Sequence, residues 1–153
     1  MSERTEKAAS LFKSGCNCCQ SVLGAFSDDL GLDEKTAMRI AYGLGGGMGR
    51  LREVCGAVSG MVVLAGLKYG SEDPYDAAAK KKTYEIVQQM AHAFREKNGS
   101  IVCRQLLGLE KREDDPTPSE RTSAYYQKRP CAEYVADAAA IVERTLFGTS
   151  PSA

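Results

Sequence analysis

The chain has 153 residues, and its 20 basic and 20 acidic side chains leave no formal net charge at pH 7. A chain of this length buries roughly 70% of its unfolded surface, so we expect a single domain over residues 1–153 that folds without disulfide bonds. The balanced charge disfavours a nucleic-acid-binding protein, which normally carries a clear excess of basic residues. No apolar run approaches the roughly 20 residues that a membrane-spanning helix requires.

The N-terminal segment is charged and lacks the apolar stretch of a secretory signal peptide, which predicts a cytoplasmic location. In a reducing compartment, cysteines serve metal binding or redox chemistry more often than static disulfide bonds. The chain contains six of them: Cys16, Cys18, Cys19, Cys55, Cys103 and Cys131. The function therefore depends on what these thiols do together.

Apolar residues recur at helical spacing along the chain, and the alternation typical of strands is nearly absent, which predicts an all-α fold. Three helices are predicted in the N-terminal part, the third with Asp33 as its N-cap. Their approximate bounds are 4–13, 17–30 and 33–44. A glycine-rich segment at 43–50 interrupts the helical pattern, because each glycine costs about 1 kcal/mol in a helix. The next helix, at about 53–69, is apolar on all sides and is predicted to be the buried centre of the fold.

Three further helices are predicted in the C-terminal part. The first begins with Asp73 as its N-cap and ends before Gly99. The second is short and has Ser100 as its N-cap, and a charged loop containing two prolines separates it from the last. The approximate bounds are 74–97 and 101–107 for the first two helices, 110–118 for the loop and 130–147 for the last helix. Together these elements predict a single-domain bundle of about six helices around the 53–69 helix.

Four cysteines fall at the predicted starts of helices: Cys18, Cys55, Cys103 and Cys131. A helix N-terminus presents unpaired N–H groups and a partial positive charge, which together stabilise a thiolate or an anionic cofactor. We therefore expect these thiols to have lowered pKa values and to meet in one anion-binding pocket. The alternative for each one alone is a small core residue, since free cysteines are often buried. Cys16 and Cys19 form a C-x-x-C pair and are predicted to be additional, resolving or exposed thiols.

The glycine-rich segment matches neither the phosphate-binding loop nor the dinucleotide-binding fingerprint. Its glycines are predicted instead to let the backbone approach a bound group or a neighbouring helix closely. Arg50 and Arg52 beside them could pair with an anionic cofactor. The candidate cofactor-binding residues are Gly45, Gly46, Gly47, Gly49 and Arg50.

The motif C-G-A-x-x-G occurs at residues 55–60, and the chain resembles a four-cysteine family of redox-active proteins called C_GCAxxG_C_C. The resemblance also covers an N-C-x-Q-x-V opening at 17–22, a glycine segment at 45–50, a C-R-x-L-x-G element at 103–108 and a cysteine after Pro130. It implies that the family cysteines are Cys18, Cys55, Cys103 and Cys131, and that Cys16 and Cys19 are departures. It also implies a prokaryotic, largely anaerobic setting and, through a similar domain in split-Soret-type cytochromes, an iron–sulfur centre.

Three hypotheses are open for the four cysteines, and the first is slightly favoured over the second. The first is an iron–sulfur cluster held by four thiolates, used for electron transfer or redox sensing. The second is a metal-free thiol–disulfide protein with Cys18 or Cys55 as the nucleophile. The third is a structural or carrier site for Zn²⁺ or another metal, which the wide spacing of the cysteines and the isolated His92 disfavour. The expected partner is a redox protein or a small thiol, and the sequence leaves a homo-oligomer open.

Overall fold

A computed structural model of the chain describes residues 2–109 and 115–148. Within these ranges the regular structure is helical, apart from one isolated antiparallel bridge between Val54 and Val102. The α-helices are α1 Glu3–Lys13, α2 Cys18–Phe26, α3 Glu34–Ile40, α4 Gly45–Met48, α5 Gly56–Tyr69, α6 Ala77–Asn98, α7 Cys103–Leu106, α8 Ser123–Lys128 and α9 Cys131–Leu146. The predicted all-α fold is confirmed. The longer helices form the bundle, whereas α4, α7 and α8 are short. Helix α4 is irregular, because Gly46 and Gly47 have positive φ angles.

Helix α5 is the centre of the bundle and packs against α2, α6 and α9. Its buried side chains include Met61 and Leu64, which are both 0% exposed. Burying an aliphatic side chain of this size contributes about 1.5–3 kcal/mol. Gly60 lets α2 approach α5 closely, because a Cβ at this position would lie 2.9 Å from the Cβ of Val22. Although α5 is strongly apolar, none of the helices within 2–109 and 115–148 has both the length and the apolar character that spanning a bilayer requires.

The predicted starts of α2 and α3 are correct, and both helices end earlier than predicted. Helix α2 begins with a capping box, in which the side chains of Asn17 and Gln20 each accept a hydrogen bond from the other's backbone N–H. It ends at Phe26, where the chain tightens into a 3₁₀ turn over Ser27–Leu30. Helix α3 begins at the predicted cap Asp33 but ends at Ile40, before a second 3₁₀ turn over Tyr42–Leu44.

The predicted start of the long helix α6 is wrong by three residues. Asp76, not Asp73, is the N-cap, and its carboxylate accepts a hydrogen bond from the N–H of Ala79 at 3.0 Å. Asp73 instead accepts from the N–H of Tyr75 at 2.9 Å, which closes a local turn before the helix. The predicted end is correct, because Gly99 follows Asn98 in the left-handed conformation.

The region from residue 100 to residue 130 differs most from the prediction. Ser100 does not cap α7, because its hydroxyl accepts from the N–H of Val102, which is itself the N-cap residue. Of the predicted loop at 110–118, residues 110–114 lie outside the described residues, and 115–118 contains no helix or strand. Helix α8 was not predicted, since a segment this short carries too few apolar residues for a helical period.

Candidate functional site

Four cysteines from four parts of the chain line one cavity of about 60 Å³, which we call the four-cysteine cavity. Each stands at the start of a helix: Cys18 in α2, Cys55 as the N-cap of α5, Cys103 in α7 and Cys131 in α9. Cys55, Cys103 and Cys131 are buried, and Cys18 is half-buried. The fold thus brings together the four cysteines selected from the sequence. Their role in binding a cofactor stays a prediction.

Backbone contacts fix the segments that carry Cys55 and Cys103 side by side. The N–H of Cys55 donates to the carbonyl of Ile101 at 2.8 Å, and the N–H of Cys103 donates to the carbonyl of Glu53 at 2.5 Å. Gly56 then lets the start of α5 meet the start of α2, because a Cβ there would lie 3.2 Å from the Cβ of Cys18. Three of the four cysteines are therefore positioned by main-chain packing.

The glycine-rich segment forms a left-handed turn that closes one side of the cavity. The φ angles are positive at five successive residues: Gly46 at 63°, Gly47 at 65°, Met48 at 70°, Gly49 at 53° and Arg50 at 74°. Left-handed helical backbone costs roughly 1–2 kcal/mol for each residue other than glycine, which explains the density of glycines here. Gly47 also has a steric role, because a Cβ there would lie 2.7 Å from the Cβ of Cys103.

The structure separates the candidate cofactor-binding residues into two groups. Gly46 and Gly47 line the four-cysteine cavity. Gly45, Gly49 and Arg50 do not, and Gly45 instead packs against α2, where its Cβ would meet the side chain of Asn17 at 2.6 Å. Close approach to neighbouring protein segments therefore accounts for Gly45.

The thiols of Cys18 and Cys131 interact with each other more strongly than with any other group. Hydrogen bonding to the Cys18 thiol is the largest cause that lowers the pKa of Cys131. Together with the positive charges of Arg129, Arg52 and Arg121 it outweighs burial and brings this pKa to about 7. The same hydrogen bonding raises the pKa of Cys18, and burial adds to that rise. Cys131 is thus the thiol that ionises near neutral pH, with Cys18 as the proton donor.

The other two cavity thiols contradict the prediction of lowered pKa values. Burial raises the pKa of Cys55 to about 12, although the N–H groups of Ala57 and Val58 donate toward its sulfur as expected at a helix start. Burial also raises the pKa of Cys103, more than the guanidinium of Arg52 lowers it. The prediction therefore holds for Cys131 and is wrong for the other three. Desolvation outweighs the N–H groups at the helix starts of Cys55 and Cys103, and hydrogen bonding to Cys131 raises the pKa of Cys18.

Arginine and tyrosine side chains complete the wall of the cavity, and sequence analysis missed most of them. The guanidinium of Arg121 lies 4.6 Å from the ring centre of Phe12 and 4.9 Å from that of Tyr125. It also donates to the carbonyls of Phe12 and Cys16, both at 3.0 Å. Arg52, which is 6% exposed, donates to the sulfur of Cys103 at 3.7 Å. Arg52 could be found from the sequence because it lies beside the glycine-rich segment. Arg121 could not, because the region around it has neither a motif nor a helical period.

The remaining two cysteines lie outside the four-cysteine cavity. Cys19 is 0% exposed and belongs to the apolar core, where burial raises its pKa to about 12. Cys16 is half-buried, and its sulfur lies 3.8 Å from the sulfur of Met38. The prediction that both are exposed or resolving thiols is thus wrong for Cys19, because α2 packs it against α5.

The cavity thiols surround a space and do not converge on a point. Among residues 2–109 and 115–148, no three His, Cys, Asp or Glu side chains lie close enough together to hold one metal ion. A single Zn²⁺ would require its thiolates at bond lengths of about 2.3 Å from one centre. The described residues therefore do not form the compact set of ligands that one Zn²⁺ ion requires.

Comparison with known proteins identifies the family of this chain. A family model described as "Putative redox-active protein (C_GCAxxG_C_C)" matches residues 16–145, a span that contains all four cavity cysteines. No curated protein and no solved structure matches the chain. The match covers well over half of the sequence and agrees with the motifs around the cavity. The chain belongs to the C_GCAxxG_C_C family of redox-active proteins.

Proposed function

We propose that the four-cysteine cavity is a redox centre in which Cys18, Cys55, Cys103 and Cys131 hold an iron–sulfur cluster for electron transfer or redox sensing. The observation that carries this proposal is that four thiols from four separate helix starts line one cavity. Four cysteine thiolates are the usual ligands of such clusters. A bound cluster would accept and release one electron at a time.

The chemistry of the donor set fits a cluster. Burial raises the pKa values of Cys55 and Cys103, and hydrogen bonding to Cys131 together with burial raises that of Cys18, so the protein alone favours their neutral forms. Coordination to a metal deprotonates a thiol, so bound iron would supply the positive charge that these thiolates need. Three arginines that line the cavity, Arg52, Arg121 and Arg129, would offset the remaining negative charge. Charges and hydrogen bonds around a cluster are what set its potential.

The size of the cavity also favours a compact inorganic group. Its volume of about 60 Å³ is well below the roughly 300–1,000 Å³ of pockets that bind organic ligands. A site for one metal ion would need three or more thiols around one point, and the described residues do not provide that arrangement. The donor set therefore supports a zinc site less than a cluster.

Matched cysteine variants test the proposal. Protein purified without oxygen should show the visible absorption of an iron–sulfur protein, and Ser at position 18, 55, 103 or 131 should abolish or shift that absorption. The control is Cys16→Ser, which changes a half-buried thiol outside the cavity and should leave the spectrum unchanged. A colourless wild-type protein after anaerobic reconstitution with iron and sulfide would overturn the proposal.

A metal-free dithiol at Cys18 and Cys131 is the second candidate, because these two thiols share hydrogen bonding. The Cys131 thiolate would attack the disulfide of a small molecule or protein, form a mixed disulfide and release one partner thiol. Cys18 would then lose its proton and attack the Cys131 sulfur, which releases the second partner thiol. The partner disulfide is reduced to two thiols while Cys18 and Cys131 are oxidised to a disulfide. The structure thus favours Cys131 as the nucleophile, whereas the sequence suggested Cys18 or Cys55.

Mass spectrometry of alkylated, iron-free protein across a glutathione redox series tests this second candidate. Cys18 and Cys131 should lose their reactivity together as the potential rises, and Cys18→Ser should accumulate a mixed disulfide at Cys131. Cys16 serves as the internal control and should remain independent of the pair. Thiols that stay reduced at every physiological potential would contradict it.

A further inference from the structure

A second cavity of about 100 Å³ lies against the four-cysteine cavity, and we call it the outer cavity. Both cavities are lined by the same five residues: Gly46, Arg52, Arg121, Tyr125 and Arg129. The outer cavity adds Arg50, Pro118 and Ser119, which do not line the four-cysteine cavity. The two spaces therefore share a wall, and a molecule in the outer cavity would lie next to the thiols.

The outer cavity is strongly basic. Four arginines line it, namely Arg50, Arg52, Arg121 and Arg129, and its lining includes no acidic residue among those that the structure describes. Four arginines around so small a volume make the local potential more positive, which favours an anion. Guanidinium is also the side-chain group whose planar donors match the oxygens of carboxylate, phosphate and sulfate groups.

Two of these arginines are held rigidly, which prepares the site for a ligand. Arg121 is fixed by its two carbonyl contacts and its stacking on Phe12 and Tyr125. Arg52 is 6% exposed and contacts the sulfur of Cys103. Pre-organised donors lose less conformational entropy when they bind a ligand, so they hold an anion more tightly than free surface arginines do.

Offsetting the charge of a cluster does not explain Arg50. This residue lines only the outer cavity, where its guanidinium donates to the carbonyl of Thr117. Its backbone is left-handed with φ at 74°, a conformation that is unfavourable for arginine. Asp115 interacts with Arg50, but it is exposed and does not line the cavity. Arg50 therefore distinguishes the lining of the outer cavity from that of the four-cysteine cavity.

We propose that the outer cavity binds a compact oxyanion group, as the substrate subsite of the redox centre. The assignment as a subsite rests on the proposed function, whereas binding of the anion does not. The volume suits a group such as sulfate, phosphate or a small carboxylate and is too small for a nucleotide.

Isothermal titration calorimetry on the full chain, both iron-free and reconstituted, tests this proposal with sulfate, phosphate, acetate and chloride as probes. We expect saturable binding of one oxyanion per chain. A preference for sulfate or phosphate would identify a free inorganic oxyanion as the ligand class, and a preference for acetate would identify the carboxylate of an organic molecule. No saturable binding, or equal binding of chloride, would overturn the proposal.

Single variants test whether the oxyanion binds in the outer cavity. Arg50→Asn removes the charge while asparagine tolerates the left-handed backbone, and it should weaken binding about tenfold. Ser119→Asp places a negative charge on an exposed loop position of the same cavity and should weaken binding at least as much. The control Arg95→Gln, on the exposed face of α6, should leave the affinity unchanged. Binding that is insensitive to both cavity variants would overturn the proposal.

Binding of the oxyanion can be measured in iron-free protein, so the two proposals can fail separately. Oxyanion binding to a chain that never holds a cluster and never cycles its thiols would remove the redox centre and leave the anion site. A cluster without saturable oxyanion binding would remove only the anion site.

Discussion

Cys18 and Cys131 determine each other's protonation although they lie near opposite ends of the chain. Hydrogen bonding between their thiols lowers the pKa of Cys131 to about 7 and raises that of Cys18. The pair forms because the starts of α2 and α9 meet at the four-cysteine cavity. One thiolate is therefore available at neutral pH before any cofactor binds.

The first prediction concerns the reactivity of Cys131 in reduced, iron-free protein. Its alkylation rate should rise with pH to a midpoint at about 7, because the thiolate is the reacting form. Cys18→Ala should shift this midpoint upward, since it removes the largest cause of the lowered pKa. Site-resolved mass spectrometry over a pH series measures both, with Cys16 as the control. A midpoint near 8.5, the usual pKa of a free cysteine, would contradict the assignment.

The second prediction is that the reduced, iron-free protein loses stability at alkaline pH. Burial raises the pKa values of Cys19 and Cys55 to about 12, so the folded state keeps protons that the unfolded state releases above pH 8.5 or so. The stability that these protonated thiols contribute is therefore fully present below their pKa in the unfolded state. It is lost as the pH rises toward their pKa in the folded state. The loss should be on the order of 2 kcal/mol per thiol at pH 10.

Urea unfolding at pH 8 and pH 10 measures this loss, and Cys19→Ala provides the comparison. The variant should lose less stability between the two pH values than the wild type, because one buried thiol no longer titrates. Cys19 lies in the apolar core and outside the four-cysteine cavity, so the variant changes the core without removing a cavity thiol. Equal losses in both proteins would contradict the burial argument for Cys19.

The third prediction separates two reasons for glycine at position 47: its left-handed backbone and the lack of space for a Cβ beside Cys103. Gly47→Ala places a Cβ 2.7 Å from the Cβ of Cys103 and 2.8 Å from the backbone nitrogen of Glu53. Gly108→Ala is a matched control, since Gly108 has a similar φ of 68° and no atom within 4 Å of the added Cβ. Both should lose roughly 1 kcal/mol from the backbone conformation, and Gly47→Ala should lose roughly 1–3 kcal/mol more.

Chemical denaturation gives the two free energies of unfolding, and the absorption spectrum reports the effect on the centre. Only Gly47→Ala should disturb the cluster, since it displaces Cys103. Similar losses in the two variants would mean that the contact between Gly47 and Cys103 is unimportant.

The fourth prediction concerns the potential of the redox centre. Arg129 lines the four-cysteine cavity, and its charge helps to lower the pKa of Cys131. Because reduction adds negative charge, Arg129→Gln should make the midpoint potential more negative by roughly tens of millivolts, where 59 mV is a tenfold change for one electron. Arg129→Lys keeps the positive charge and should therefore retain most of the wild-type potential. A redox titration measures the potentials, with Arg95→Gln as the remote control; an unchanged potential in Arg129→Gln would contradict the role.

Local patterns predicted much of the fold and the choice of cysteines. The apolar character of residues 53–69 on all sides predicted α5 as the central helix. The stop at Gly99 and the cap at Asp33 follow from backbone and side-chain properties of those residues themselves. The position of the four cysteines at helix starts was visible for the same reason.

Properties that arise from tertiary packing could not be predicted in this way. The pKa of Cys55 rises because the folded chain buries it, and no local signal gives the size of that burial. Arg121 reaches the cavity through contacts with Phe12 and Cys16, which are distant in sequence. Helix α6 begins later than predicted because Asp73 closes a turn of its own and Asp76 is the cap. Local propensity alone does not decide between these two residues.

The iron and acid-labile sulfide content of protein purified and reconstituted without oxygen decides whether the four-cysteine cavity holds an iron–sulfur cluster. We expect both elements in comparable amounts in the wild type and in Cys16→Ser, and their loss when Cys18, Cys55, Cys103 or Cys131 is replaced by Ser. Wild-type protein that binds neither iron nor sulfide would contradict an iron–sulfur centre in the four-cysteine cavity.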